Sequence, residues 1–204
     1  MKISYAVTVC NELEEIKRLI PRLLEHKRDE DEIVVLLDIS NQTQELTEYL
    51  QKLRYDGAII LQGEYFDGNF ADWKNKLKDF CTGDYIFQID ADELPAQDLL
   101  SDLPYILGQN NIDLFLVPRD NRVEGITEAH IQKWGWKVDV LGRINFPDYQ
   151  TRLYKNSPDI KWVNKVHERI DGYKTYAALP HNYFLHHIKT IEKQEQQNNY
   201  YDTL

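Results

Sequence analysis

Little in this sequence invites a covalent or a membrane-based reading. Cysteine is nearly missing: the 204 residues hold two, Cys10 and Cys81. Two cannot staple a chain of this size or build a zinc cluster, and they point to a reducing cytoplasm. Long hydrophobic runs are missing too. Nothing approaches the roughly 20 apolar residues a membrane helix needs, and Met1-Lys2-Ile3 enters a strand rather than a signal peptide. Positive charge is in deficit, with Lys plus Arg at 24 against Asp plus Glu at 34 and a formal charge of −10. That argues against non-specific nucleic-acid binding. There is no internal repeat, and no low-complexity tract beyond Gln194 to Asn199.

What is present suffices for one folded domain. The apolar fraction is 42%, enough to fill a core in a chain of this length. The charge is unevenly spread. Residues 1–100 carry 11 basic and 21 acidic side chains, whereas residues 119–174 carry 11 basic against 8 acidic and are rich in Trp and Tyr. The distribution suggests an acidic half that holds a metal, facing a basic, aromatic half that closes over an anionic ligand. The plainer alternative is a solvated surface of mixed charge.

Hydrophobic periodicity alternates strand and helix through the first hundred residues. Ile3 to Val9, Ile33 to Leu37, Ala58 to Leu61 and Tyr85 to Ile89 read as buried strands. Between them come helices carried by Leu13, Ile16, Ile20, Leu23 and Leu24, then Leu46 to Leu53, then Phe70, Trp73, Leu77 and Phe80. Asn11 is the expected cap of the first helix. The order predicts an α/β fold with an open, mostly parallel sheet and helices on both faces. Ala96 to Leu107 reads as a further helix and Leu114 to Val117 as a strand. Residues 119–147, punctuated by Gly125, Gly135, Gly142 and Pro147, read as a long loop. Thr151 to Tyr154, Trp162 to Val166 and Tyr183 to His187 are candidate strands, and Thr190 to Tyr201 a terminal helix.

In such a sheet ligands bind beyond the carboxyl ends of the strands. Three strands end there in polar residues: Thr8, Cys10, Asn11 and Glu12; Asp38 and Ser40; and Asp90-Ala91-Asp92-Glu93. Three acids in four residues repel one another. A hard divalent cation with phosphate oxygens as co-ligands resolves that repulsion. An acidic turn whose Glu93 starts a helix is the alternative.

Taken together, Ala6-Val7-Thr8-Val9-Cys10-Asn11-Glu12, Val34 to Ser40, Lys74-Asn75 and Gly83 to Glu93 resemble glycosyltransferase family 2 of the GT-A fold. The resemblance continues more loosely through Arg152-Leu153-Tyr154-Lys155, Trp162, Val166-His167-Glu168 and His186-His187. It implies a Rossmann-like nucleotide-sugar half, residues 1–117, and a smaller irregular half, residues 118–204, closing the acceptor and metal side of one domain. It implies transfer of a hexose-type sugar from a UDP-sugar, with Mn2+ or Mg2+, to an acceptor hydroxyl on a glycan, lipid or protein, with inversion. Thr8, Cys10, Asn11, Glu12 and Asp38 would hold the uridine, Lys74 would face the donor, and Asp90 with Ala91 would face the ribose. Asp92 would bind the metal, helped by one of His186 and His187. Adjacent strand residues point to opposite faces, and the cation of Lys189 favours His187. Glu168 is the first choice for the base and Asp148 the second. Trp162 is the candidate for stacking on an acceptor sugar. Leu37 and Ile39 depart from the family, which often has an acid and a glycine there. The rival readings are a nucleotidyltransferase, which would normally carry a Gly-rich phosphate loop after the first strand, and a non-catalytic nucleotide- or carbohydrate-binding module.

Overall fold

The structure is a computed structural model that describes residues 1–201, with side chains through residue 199. β1 (Ile3–Val9) and β2 (Glu32–Asp38) are almost wholly buried, as their unbroken apolar runs require. With β3 (Ile60–Glu64) and β4 (Tyr85–Asp90) they form the parallel order β3-β2-β1-β4. The connecting helices are α1 (Leu13–His26), α2 (Gln44–Tyr55) and α3 (Phe70–Asp79). α2 and α3 start on side-chain caps, Thr43 and Asn69, that accept backbone N–H groups of the first turn. α1 does not start on Asn11. Its cap is Glu12, whose carboxylate turns back to accept the N–H groups of Cys10 (2.8 Å) and Asn11 (3.0 Å).

The remaining strands extend the same sheet. β5 (Glu93–Pro95) follows β4 directly, and α4 (Gln97–Gln109) leads to β6 (Leu114–Glu124). β7 (Asp148–Lys155) runs antiparallel between β4 and β6. β11 (Leu185–Thr190) lies parallel to β6 and antiparallel to β5. The order is β3-β2-β1-β4-β7-β6-β11-β5, with β10 (Tyr176–Ala178) also on β6. A separate hairpin of β8 (Lys161–Val163) and β9 (Arg169–Asp171) packs on α3, and α6 (Ile191–Tyr201) follows β11. Two hydrophobic clusters hold the layers. The larger lies under α1, α2 and α4; the smaller joins α3 to the hairpin through Trp73, Leu77, Trp162 and Ile170.

The expected long loop over 119–147 is corrected. β6 runs on to Glu124, α5 (Glu128–Trp134) follows, and Val138 bridges to Ile144. The far part of β6 is polar (Arg119-Asp120-Asn121-Arg122) because it faces charged partners rather than a core, so it shows no apolar alternation. The strand expected over Trp162 to Val166 ends at Val163. Asn164 (φ 76°) and His167 (φ 55°) there adopt left-handed backbone that makes the hairpin turn. The third strand starts at Ile60 rather than Ala58, and the last begins at Leu185.

Candidate active site

The carboxyl ends of β1, β2 and β4 open onto a cleft of about 410 Å³. Thr8 is in register with Asp90, and its hydroxyl lies 3.2 Å from Asp90 Oδ1. Cys10, Glu12, Asp38, Lys74, Ala91, Asp92 and Glu168 share the same walls. Asn11 does not line the cleft and is exposed. Asp38 Oδ1 accepts the N–H groups of Ser40 (2.8 Å) and Phe66 (3.3 Å), which fixes the rim. Burial, and then the Asp38 carboxylate 3.6 Å from its sulfur, push the Cys10 thiol up to about 12, so it stays neutral. Sequence reading missed Phe66, whose ring lies 4.8 Å from Phe70 and 5.6 Å from Trp73 along one wall. An aromatic in the turn Tyr65-Phe66-Asp67-Gly68 was the available signal.

Beyond β4 the three acids have different fates. Glu93 is 1% exposed and is clamped by Arg152 (2.7 Å) and Arg119 (3.3 Å). It belongs to β5, not to a helix start. Asp90 is bonded to Arg152 and lies 3.4 Å from Lys74 Nζ. Burial alone would raise its pKa, but Arg152 and then Lys74 outweigh burial and hold the carboxyl far below its usual range. The repulsion assigned above to a cation is therefore relieved, for Asp90 and Glu93, by a buried arginine. An arginine in the middle of the apolar run Thr151 to Tyr154 is the signal that identifies it, since a buried cation demands an anion.

Asp92 has other partners. Burial pushes its pKa up, and the hydrogen bond and charge of His187, with the charge of Lys189, together more than offset this, leaving it at about 2. His187 Nε2 lies 3.2 Å from Asp92 Oδ2, and its Nδ1 lies 2.8 Å from Asn121 Oδ1. The register explains the triad: His187 pairs with Glu93 on β5 and with Asn121 on β6. With an ion bound, Nδ1–H would donate to the amide oxygen and the Nε2 lone pair and the carboxylate oxygen would be its two protein ligands, in place of the hydrogen bond between them. Their 3.2 Å separation is close to the ~3 Å between neighbouring ligands of an octahedral ion bound at ~2.1 Å. Among the described residues, no group of three or more His, Cys, Asp and Glu could hold a metal. A two-residue site fits an ion whose other ligands are substrate oxygens, the habit of magnesium. His186 is on the opposite face, its ring 4.6 Å from that of Phe184.

Glu168 sits at the end of the hairpin turn, and Lys74 Nζ donates to its Oε1 at 2.7 Å. Two bonds between Asn75 and the Trp162 backbone (2.8 and 2.9 Å) lock the hairpin to α3 and so fix that pair. Trp162 is 3% exposed; its indole N–H donates to the Tyr154 hydroxyl, and Lys74 lies 4.6 Å over its ring. It supports Lys74 from beneath and, although almost wholly buried, contributes to the wall of the second compartment described below. Asp148 is tied to Arg119 (2.6 and 2.8 Å) and lines neither this cleft nor the next one.

A second compartment of about 330 Å³ adjoins the first and shares Asp90, Asp92, Glu168 and Gln197 with it. Arg119, Asn121, Trp136, Arg152, His187 and Lys189 form much of the rest of its wall. Burial lowers the pKa of Lys189, a trend that Asp92, 4.0 Å away, opposes.

This fold matches a known group. The model of glycosyl transferase family 2 covers residues 4–177, and the chain belongs to that family. Among solved structures, residues 1–349 of S. aureus TarS superpose with a TM-score of 0.64 at 16% identity, over 92% of this chain and 60% of that one. The same TarS fragment in complex with UDP-GlcNAc gives 0.65 at 18% identity, over 93% and 59%. A curated relative, a TPR repeat-containing protein of Synechococcus elongatus, is 25% identical over 165 residues, which is 81% of this chain and 35% of the relative. The chain thus spans about a third of that relative's length and about 60% of the TarS fragment.

Proposed function

We propose that this chain is a glycosyltransferase that moves a hexose-type sugar from a UDP-sugar onto an acceptor hydroxyl with inversion, dependent on Mn2+ or Mg2+. The observation that carries the reading is the meeting of two compartments at Asp90, Asp92 and Glu168. The first, built largely from residues 1–117, takes the nucleotide; the second, largely from residues 118–204, takes the acceptor. Membership of the family and the likeness to a fold that holds UDP-GlcNAc in TarS support the donor class.

Each residue then has a task. Asp38, Cys10 and Glu12 offer acceptors and a neutral thiol to the base and ribose, and Phe66 and Phe70 offer apolar surface. Asp90, kept anionic by Arg152, faces the ribose hydroxyls. Asp92 and His187 would hold the divalent ion, which when bound neutralises charge growing on the diphosphate. Lys189 adds a fixed positive charge beside it. Glu168, on the wall common to both compartments, takes the proton of the attacking hydroxyl, and Lys74 holds it in place.

The test is a thermal shift. UDP at 100-fold over its dissociation constant stabilises a binder by ~2.7 kcal/mol. That gain is expected with Mn2+ or Mg2+ and is lost in chelator or in Asp92→Asn. Equal stabilisation in chelator would remove the metal from the mechanism, and no UDP effect under any condition would remove the donor.

A further inference from the structure

The second compartment holds an aromatic device that the donor chemistry does not use. α5 is short but firmly started, with Thr127 and His130 forming a capping box, and it stops at Gly135 in left-handed backbone (φ 64°). This reversal sends Trp136 back, its N–H donating to the Ile131 carbonyl at 3.0 Å. Trp136 lies 4.6 Å from Trp134, which in turn stacks on His130 at 5.3 Å with 15° between the rings. Three rings in series leave the partly exposed indole of Trp136 lining the compartment, with its rotamer already chosen.

The same compartment is lined by the neutral groups of Asn121, whose oxygen meets His187, of Gln150, whose amide nitrogen donates to Asp148, and of Thr151. The charges on the same wall cancel: Arg119, Arg152 and Lys189 against Asp90, Asp92 and Glu168. The two arginines are also engaged by carboxylates, Arg119 by Asp148 and Arg152 by Asp90 and Glu93. Lys189 lies 4.0 Å from Asp92, so among the described residues each lysine and arginine of this wall has a carboxylate within reach. Among the described residues this wall offers no aliphatic side chain for a lipid tail beyond the Thr151 methyl. A flat apolar face in one compartment with amides and a hydroxyl suits a ring with C–H bonds on one side and hydroxyls at its edge.

We propose that this compartment is an acceptor subsite for a neutral pyranose, stacked on Trp136 with a hydroxyl directed to Glu168. This deepens the transferase reading, on which its role as acceptor rests, and makes the acceptor a glycan.

Saturation-transfer NMR on the full chain with UDP and Mg2+ tests it, using methyl pyranosides, the corresponding sugar phosphates and neutral disaccharides as probes. At least one neutral saccharide should bind, with saturation strongest on the C–H protons of one ring face. Trp136→Ala should weaken it at least tenfold and Trp136→Phe by less than threefold. If Trp136→Ala fails to fold, the one-face pattern in the wild-type chain and the Phe variant carry the decision. Failure of every saccharide while UDP still binds would overturn the proposal, as would equal binding by Trp136→Ala or preference for a sugar phosphate. If UDP does not bind but a saccharide does, through Trp136, the donor reading falls and the saccharide site stands.

Discussion

Replacing Arg152 with alanine removes the cation on which the acid corner depends. Its guanidinium head is bonded to Asp90 and to Glu93, and its side chain is only 6% exposed. Truncation leaves Glu93 with the longer contact to Arg119 (3.3 Å) and Asp90 with Lys74 (3.4 Å). Breaking a buried pair from one side costs ~3–5 kcal/mol. For a chain of 150–250 residues each kcal/mol moves the melting temperature by ~2–4 °C, so the expected fall is ~6–20 °C at pH 7. The pH dependence has a definite sign. In the wild type Asp90 titrates well below an ordinary carboxyl, so its contribution is present above the unfolded value and is lost only as pH falls through the depressed one. Without Arg152 burial dominates, Asp90 resists ionisation, and the penalty shrinks as acid protonates it. Melts followed by near-UV circular dichroism from pH 7 to pH 4.5 should show the gap between variant and wild type narrowing. The double variant Arg152→Met with Glu93→Gln should recover much of the loss, because charge is removed from both sides. A single variant within 2 °C of wild type at pH 7, or a gap that widens in acid, would refute the reasoning.

Glu168→Gln should retain metal-dependent UDP binding and lose transfer by ~10²–10⁴-fold, the usual span for a positioned base; persistent turnover in a coupled UDP-release assay assigns the role elsewhere. His187→Ala should abolish the metal-dependent part of the UDP thermal shift while His186→Ala preserves it, since the two rings lie on opposite faces of β11; equal losses would contradict that geometry. The Cys10 thiol, pushed up to about 12 by burial and then by Asp38, should react with iodoacetamide at pH 8 far more slowly than free cysteine. A rate equal to that of the free amino acid would show that the thiol is not so disfavoured.

The first half of the fold was legible because its physics is one-dimensional. β1, β2 and β4 are buried on both faces, so apolar runs mark them, and the acids that stop them mark the ligand edge. That His187 and Asp92 meet follows the family resemblance, with strand alternation allowing one of the two histidines to face the site and Lys189 favouring His187. The second half hides its structure in long-range partners. β6 beyond Pro118 reads as loop because its polar residues answer to β7, β11 and the acid corner. The hairpin strands are three residues each, too short for a period to show. Trp162 and Trp136 are the same residue type in similar company, and only the fold reveals that one is almost wholly buried under Lys74 and the other partly exposed. Glu168 was preferred to Asp148 as a base on sequence, and only the fold shows that Glu168 lines both compartments while Asp148 lines neither.

β7 has a consequence for how such a molecule could diversify. It enters the sheet from the second half of the chain and zips along Tyr85, Ile86 and Phe87 of β4 on one side and along β6 on the other. The second half is therefore no detachable cassette: cutting the chain after β6 would strip β4 of a neighbour and bare a sticky apolar edge. Variation in that half is best absorbed by the α5 excursion, which can change while the weave stays intact.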